Sequence, residues 1–311
     1  MKTLIVGGAG YIGTTLTKLL LERGDSVRVF DNLTFGVDPL VPFFRNTGYE
    51  LIQGDITRDV EQLRTACQGV DFIVHLAAIV GAPACKKNPD LAQAVNVYGT
   101  QILNMVRNGV PVIYASTGSN YGAVQDGICT EETSLNPLTQ YGRTKTDAET
   151  LLRRAGNMIG YRFATAFGLS PRLRLDLLIN DFVYKALVER NLVLYEAGFM
   201  RTFIHVHDIG RAIIHAIDHF ADMRDEIYNC GSNTMNASKL DVAQMIQRFV
   251  PDFYLHTADV GHDPDQRNYV VSYDKLAATG YETTISLECG IEEMVRAFEH
   301  LRVENRYSNV G

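Results

Sequence analysis

A tyrosine and a lysine four residues apart, Tyr141 and Lys145, are the residues whose types and spacing most directly suggest chemistry. On a helix, residues i and i+4 lie on one face, so the phenol and the ammonium can share a site. Thr117 ends an apolar run typical of a parallel strand, and such folds bind ligands at the carboxyl edge of the sheet. There Tyr141 can act as a base, Lys145 can lower the pKa of the phenol, and Thr117 can hold a substrate hydroxyl. The plainer alternative is a chance pair on an exposed helix, since the chain has 15 tyrosines.

A strand, a glycine turn, a helix and a second strand are predicted within residues 2–31. Gly7, Gly10 and Gly13 have the spacing of a dinucleotide-binding turn, in which a pyrophosphate lies at the helix N-terminus. Asp31 would accept hydrogen bonds from the adenosine ribose and repel a 2′-phosphate, so we expect NAD rather than NADP. A tight turn without a ligand is the alternative.

The tyrosine motif and the glycine motif support each other. A free phenol has a pKa of about 10, which is too high for a base acting alone at neutral pH. Lys145 and an oxidised nicotinamide would place two positive charges beside Tyr141 and favour its phenolate. Together the motifs predict proton removal next to a bound nicotinamide.

The remaining apolar runs predict the sheet that positions these motifs. In the first half of the chain, strands are predicted at 49–53, 71–78, 110–115 and 161–167, and helices at 59–67, 90–107 and 141–155. In the second half, strands are predicted at 192–195 and 202–206, helices at 177–189, 208–219, 239–249 and 290–302, and a loose tail at 303–311. Alternating apolar strands and helices predict an α/β fold with a Rossmann-type, doubly wound parallel sheet covered on both faces. We expect a Rossmann domain at 1–168 and a smaller substrate-binding domain at 169–311, with 206–229 returning to the first.

The composition excludes several classes of protein. The chain has 311 residues, 46% of them hydrophobic and 21% charged, which is ordinary for a globular enzyme. A net charge of −7 without a basic run argues against nucleic acid or a membrane surface as the main partner. No segment is apolar enough to span a bilayer, and the first residues already suit a strand, so we expect no signal peptide. The five cysteines form no CxxC motif and predict free thiols in a reducing cytoplasm.

Some residues keep open roles. Cys85 lies in a loop near the predicted substrate mouth, but the sequence shows no base partner for it. Arg172 and Arg174 could contact a phosphate or the substrate, and a solvated loop is an equally good interpretation of them. His205 and His207 have no further ligands spaced nearby, so we expect no metal site.

Several short motifs together resemble one enzyme superfamily. They are GGAGYIG at 7–13, DNL at 31–33, GDI at 54–56, HLAA at 75–78, Asn96, the stretch 116–122, YGRTK at 141–145 and RTFIHVHD at 201–208. Over nearly the whole chain these motifs resemble the extended short-chain dehydrogenase/reductases, and more narrowly their nucleotide-sugar epimerases and dehydratases. The segments 80–86, 170–178 and 263–269 look like the branch that includes the GDP-heptose 4-dehydrogenases of bacterial surface-polysaccharide pathways.

The resemblance implies a set of site residues. Catalysis would fall to Thr117, Tyr141 and Lys145. Cofactor contacts would come from Gly7, Gly10, Tyr11, Ile12, Gly13, Asp31, Asn32, Asp55, Ile56, Leu76, Ala77, Ala78, Asn96 and Lys145. Asn180, Arg201 and Arg267 would hold the diphosphate of a GDP- or UDP-linked sugar. Related enzymes pair through the helices at 90–107 and 141–155, so the resemblance also implies a homodimer.

The resemblance implies NAD-dependent oxidation at C4 of the sugar, giving either a released 4-keto sugar or the C4 epimer. The 4,6-dehydratases carry an Asp-Glu pair directly after the catalytic Thr, where this chain has Gly118 and Ser119. The family often has Asn in the sixth strand, where this chain has Thr165, so the contact expected there is in doubt. A 4,6-dehydratase and a non-catalytic NAD-binding protein of the same fold are the alternatives.

Overall fold

The apolar runs of the sequence form the strands of a mixed set of sheets. A computed structural model describes residues 1–122, 127–258, 268–301 and 307–309. Its strands are β1 (Lys2–Val6), β2 (Ser26–Asp31), β3 (Tyr49–Gln53), β4 (Phe72–His75), β5 (Val112–Thr117), β6 (Ile128–Cys129), β7 (Met158–Phe163), β8 (Thr165–Phe167), β9 (Asn191–Tyr195), β10 (Met200–His205), β11 (Glu226–Cys230), β12 (Asn236–Ser238), β13 (Tyr254–Ala258) and β14 (Val270–Val271).

Helices connect and cover these strands. They are α1 (Tyr11–Glu22), α2 (Val60–Ala66), α3 (Ala82–Lys87), α4 (Pro89–Gln93), α5 (Gly99–Val106), α6 (Gln140–Ala155), α7 (Leu178–Tyr184), α8 (Val206–Asp218), α9 (Phe220–Met223), α10 (Lys239–Phe249), α11 (Asp274–Ala277) and α12 (Leu287–Phe298). Within the described ranges, no helix is both long and apolar enough to cross a membrane.

The main sheet has seven strands in the order β11-β7-β5-β4-β1-β2-β3, and all of its pairings are parallel. The order reverses at β1, so the loops after β1 and β4 leave a crevice at the carboxyl edge. This arrangement confirms the predicted α/β fold with a Rossmann-type parallel sheet.

Both faces of the main sheet are covered by helices. On one face α1 and α8 pack together, with Leu16 and Leu20 in the same core cluster as Ile209 and Ile213. Gly210 allows this contact, because a Cβ there would lie 2.5 Å from the Leu19 side chain. On the other face α5 and α6 bury residues such as Leu103 and Leu152. A separate core cluster lies between α7, α10 and α12.

The structure corrects the prediction of one sixth strand at 161–167. The chain leaves the main sheet at Ala164: β7 pairs with β5 and β11, whereas β8 pairs with β10 in a three-stranded sheet. Strand β7 is buried throughout, and β8 ends in the buried Phe167. The run from 161 to 167 contains no glycine or proline, so nothing in the sequence marks the residue at which the chain changes sheets.

Two other predictions need correction. The predicted helix 90–107 is interrupted by a π-helical turn, Ala94–Tyr98, which lies between α4 and α5. The tail is not loose over residues 307–309, because the backbone oxygen of Tyr307 accepts a 2.7 Å hydrogen bond from the Leu175 N–H.

Candidate active site

The glycine turn between β1 and α1 allows backbone segments to lie close together. Gly7 has a φ of +88°, and a Cβ there would lie 2.5 Å from the backbone nitrogen of Ala77. A Cβ on Gly13 would lie 2.6 Å from the Cα of Gly8, so this glycine allows the helix to pack against the turn. Helix α1 begins after Gly10 without a side-chain cap. The first N–H groups of α1 therefore remain for an anion such as a pyrophosphate.

Asp31 is held at the end of β2 behind this turn. Its carboxylate accepts hydrogen bonds from the N–H of Ala9 at 2.9 Å and from the N–H of Leu33 at 2.8 Å. Burial raises the pKa of Asp31, and the two backbone donors oppose that rise. Asp31 lines a cavity of about 710 Å³, a volume in the range of ligand sites. The predicted cofactor residues that share this cavity wall are Gly7, Gly10, Tyr11, Ile12, Gly13, Asn32, Asp55, Ile56, Leu76, Ala77 and Ala78.

Tyr141, Lys145 and Thr117 line the same cavity. Helix α6 begins just before Tyr141 because the Thr139 hydroxyl caps it, accepting a hydrogen bond from the N–H of Gly142 at 3.1 Å. Thr117 is the last residue of β5, and its hydroxyl accepts a hydrogen bond from the N–H of Ser119. The strand end and the helix start therefore bring together the three residues that the sequence singles out for chemistry.

Lys145 is buried, with 3% of its surface exposed, and its Nζ lies 4.2 Å from the centre of the Tyr114 ring. Burial lowers the pKa of Lys145 to about 7, and the nearby Glu149 carboxylate opposes that shift. Loss of solvation is the larger effect, so the positive charge of Lys145 is costly at this buried position. Such a shift at a cleft is typical of functional sites.

A buried ion pair supports α6 one turn beyond Lys145. The guanidinium of Arg162 on β7 donates to Glu149 Oε1 at 2.6 Å, and both side chains are 4% exposed. Ser116, adjacent to Thr117, donates its hydroxyl proton to Glu149 Oε2, and Asn120 donates to the same oxygen. The network ties α6 to β5 and β7, and so fixes Lys145 relative to Thr117. This network was not predicted from the sequence, although Glu149 lies at i+4 from Lys145.

Asn96 lies behind the cavity wall. Within the π-helical turn, its side-chain amide bonds both backbone groups of Ile79, and its Nδ2 donates to the Thr144 hydroxyl at 2.9 Å. It does not line the cavity but ties the Ile79 loop, which does, to α6.

Of the three predicted substrate residues, one lines the cavity, one lies away from it and one is outside the described residues. Arg201, on β10, is buried and lines the cavity, with a guanidinium hydrogen bond to the Met200 carbonyl. Asn180 is fully buried away from the cavity, and its amide bonds the backbone of Gly168 and the carbonyl of Arg174. These hydrogen bonds hold the chain after β8, and a contact of Asn180 with the diphosphate stays a prediction. Arg267 lies outside the described residues.

Two more arginines line the cavity. Arg174 forms an ion pair with Asp176 at 2.6 Å, and the Arg172 guanidinium lies 4.1 Å from the centre of the Phe35 ring. Both are buried. Asp176 balances the charge of Arg174, so Arg172 and Arg201 are the arginines that bring positive charge to this part of the cavity wall, and they suit an anionic ligand in a chain of net charge −7. Phe35 and Asn309 also line the cavity, and no motif in the sequence predicted either of them.

Cys85 and the two histidines lie off the cavity wall. Burial raises the pKa of the Cys85 thiol to about 11, which does not suit a nucleophile. His205 ends β10, and its Nε2 lies 2.7 Å from Glu293 Oε1, while His207 lies in α8. Among the described side chains, no group of three or more candidate ligands is placed to hold a metal ion.

The chain is similar to several known proteins. The family model of the NAD dependent epimerase/dehydratase family matches residues 3–231. The chain is 29% identical over 309 residues to the low-salt glycan biosynthesis protein Agl12 of Haloferax volcanii, covering 95% of this chain and 97% of the relative. It is 31% identical over 276 residues to a dTDP-glucose 4,6-dehydratase of Mycobacterium tuberculosis, covering 85% and 83%. The UDP-glucuronic acid 4-epimerase of Bacillus cereus, solved with UDP-glucuronic acid and NAD, has the same fold, with a TM-score of 0.87, 24% identity and coverage of 97% and 100%.

Proposed function

The chain belongs to the NAD-dependent epimerase/dehydratase family, and on that premise we propose that it oxidises C4 of a nucleotide-linked sugar, with NAD as its cofactor. The observation that carries this proposal is one cavity lined by both motifs: the glycine turn with Asp31, and the group Thr117, Tyr141 and Lys145. A non-catalytic NAD-binding protein would need only the first of them.

The residues divide the work of the reaction. Bound NAD supplies the acceptor for the hydride that leaves C4. Tyr141, as phenolate, takes the proton of the C4 hydroxyl on its phenolic oxygen, and Thr117 orients that hydroxyl. Lys145 in its ammonium form lowers the pKa of Tyr141 and binds the nicotinamide ribose. The uncapped N-terminus of α1 holds the pyrophosphate, and Asp31 holds the adenosine ribose.

The substrate end follows from charge. Arg201 on the cavity wall suits the diphosphate of a GDP- or UDP-linked sugar, because a guanidinium can bond two phosphate oxygens at once. We propose the same role for Arg267. Relatives are named for dTDP-glucose and UDP-glucuronic acid, and the GDP-heptose 4-dehydrogenases remain the proposed branch.

The residues after Thr117 favour a product that keeps its C6 hydroxyl. Neither Gly118 nor Ser119 offers the carboxyl acid–base pair that expulsion of water from C5–C6 requires. We therefore favour a released 4-keto sugar or the C4 epimer over 4,6-dehydration.

Product mass tests the reaction class. The protein is incubated with NAD and, in turn, GDP-, UDP- and dTDP-linked sugars, and the products are separated and weighed by mass spectrometry. Loss of two hydrogens supports a 4-dehydrogenase, and a C4-inverted sugar of unchanged mass supports an epimerase. Loss of water would show that Gly118 and Ser119 are misread, and no turnover of any nucleotide sugar would contradict the proposal.

We also propose a homodimer formed through α5 and α6. Met105 lies on α5 and Tyr98 directly precedes this helix, and they expose 65% and 55% of their surfaces. Exposed apolar side chains of this kind would be buried if two copies paired as a four-helix bundle. Met105→Glu should shift the mass in solution to that of a monomer, whereas a wild-type monomer at micromolar concentration would contradict the proposal.

The division of the chain is part of the same proposal. Residues 1–168 with 206–229 would bind NAD, and the rest of 169–311 would bind the sugar nucleotide. The separate core between α7, α10 and α12 supports this division. NAD should slow amide hydrogen exchange mainly in the first unit.

We also propose a cytoplasmic location, because the five cysteines are all free thiols: Cys67, Cys85, Cys129, Cys230 and Cys289. A disulfide found by thiol labelling would contradict it.

A further inference from the structure

The described end of the chain forms part of the cavity wall. The backbone oxygen of Tyr307 accepts the Leu175 N–H, and the backbone oxygen of Ser308 accepts a 3.4 Å hydrogen bond from Arg172 Nη2. Asn309 follows directly and lines the cavity together with Arg172. Residues 307–309 are therefore docked where a ligand would meet them.

Two polar atoms at this wall lack hydrogen-bond partners among the described residues. Asn309 Oδ1 is an acceptor and Arg172 Nε is a donor, and both atoms are buried. Arg172 is 3% exposed, and the neighbouring carboxylate of Asp176 is already paired with Arg174. Buried polar groups are rarely left unbonded, because each lost hydrogen bond is costly. A ligand with both an anionic oxygen and a hydroxyl would satisfy the two atoms.

The position of this wall identifies which ligand it meets. Residues 169–175, which we call the strap, cross the start of α1, where the Ser170 hydroxyl donates to the Tyr11 carbonyl at 2.7 Å. Arg172 lies over Phe35, four residues after Asp31. The wall thus lies beside the glycine turn and Asp31, on the cofactor side of the cavity.

We propose that the strap and the tail residue Asn309 close over the phosphate–ribose part of bound NAD and slow its release. Arg172 donates to a phosphate oxygen, and Asn309 Oδ1 accepts from a ribose hydroxyl. Both are cofactor-binding residues that lie far from the glycine motif in sequence.

The release rate of NADH tests this inference without any sugar substrate, so its outcome is independent of the reaction proposed above. NADH is first bound to the protein, and an excess of NAD, which does not fluoresce, is then added. The rate of release is measured from the decay of the fluorescence of protein-bound NADH. Asn309→Ala should speed release about 3- to 10-fold, the worth of one neutral hydrogen bond, and Arg172→Gln about 10- to 100-fold, the worth of a charge-assisted one. Arg248→Gln is the matched control, since Arg248 is exposed on α10, and its release rate should equal that of the wild type.

A second measurement separates the cofactor from the nucleotide sugar. With NAD saturating, the affinities for UDP and GDP are measured by calorimetry, and Asn309→Ala should leave both within about twofold. If Asn309→Ala weakens UDP or GDP binding while NADH release is unchanged, the wall belongs to the substrate and the inference is wrong. Unchanged NADH release in both variants would likewise overturn it. Because Asn309→Ala alters only the docked tail, it keeps the test valid if Arg172→Gln fails to fold.

Discussion

Replacing Lys145 by methionine should make the NAD-free protein more stable while destroying its activity. The lysine is buried with its Nζ above the Tyr114 ring, and burial lowers its pKa from 10.5 to about 7 although the Glu149 carboxylate opposes the shift. Methionine has a similar length, and its sulfur can contact an aromatic ring favourably. The substitution therefore removes a costly charge with little loss of packing.

The size of the effect follows from linkage. The unfolded chain keeps the Lys145 proton up to its pKa of 10.5, whereas the folded protein releases it near pH 7. Between these values the unfolded state binds more protons, so wild-type stability rises with pH. Holding the group in the fold costs about 4 kcal/mol at pH 7 and about 2 kcal/mol at pH 9. Lys145→Met should be more stable by about these amounts, so its advantage shrinks as pH rises.

Urea denaturation of the NAD-free proteins at pH 7, 8 and 9, followed by circular dichroism, measures this difference. Lys18→Met is the control, because Lys18 is 59% exposed and should change the free energy of unfolding by less than about 0.5 kcal/mol at every pH. NAD should raise the melting temperature of Lys145→Met less than that of the wild type. A destabilised Lys145→Met, or an advantage that does not change between pH 7 and pH 9, would refute the burial argument.

Three further substitutions test other parts of the site. Tyr141→Phe should lower kcat by about two to four orders of magnitude with little change in KM, and full activity would remove Tyr141 as the base. Asp31→Asn should narrow the preference for NAD over NADP by about 10-fold or more, since it removes the charge that repels a 2′-phosphate; a wild type that binds NADP as tightly as NAD would contradict the assignment. Arg162→Met should destabilise the protein by about 3–5 kcal/mol in urea, because it leaves Glu149 buried and unpaired, and adding Glu149→Gln should recover part of that loss; a single-variant effect below about 1 kcal/mol would contradict it.

The sequence predicts the parts of this protein that depend on local pattern. The glycine spacing from Gly7 to Gly13, the strand ending in Asp31 and the i,i+4 pair Tyr141 and Lys145 are all short-range signals. The parallel sheet follows from apolar runs of strand length, and the family and NAD dependence follow from the motifs. These predictions are confirmed for the fold, the family and the cofactor. The roles of individual site residues stay predictions.

The parts that the sequence does not reveal depend on long-range contacts. The family resemblance predicts that Asn180 binds the substrate. In the fold its side-chain amide forms hydrogen bonds with the backbone of Gly168 and Arg174, and these contacts depend on how the chain folds after β8. Glu149 and Arg162 are 13 residues apart on a helix and a strand, and only the packing of α6 on the sheet makes them a pair. The docking of Asn309 beside Arg172 joins positions more than a hundred residues apart, and no local pattern encodes it.

The position of β11 at the edge of the main sheet has a consequence for the order in which the protein folds during synthesis. Strand β7 is buried along its whole length, and its outer edge pairs with β11 from Ile159 to Phe163. When only residues 1–168 have emerged from the ribosome, β11 does not yet exist and β7 forms an open, apolar edge of the sheet. Such an edge can pair with another chain and lead to aggregation. The edge closes once the chain has been extended through Cys230. A fragment ending at 168 should aggregate through this edge, and extension of the fragment through 231 should remove that contribution. The core between α7, α10 and α12 closes only after residues 239–298 have followed, so the edge of the main sheet is covered before the second core is complete.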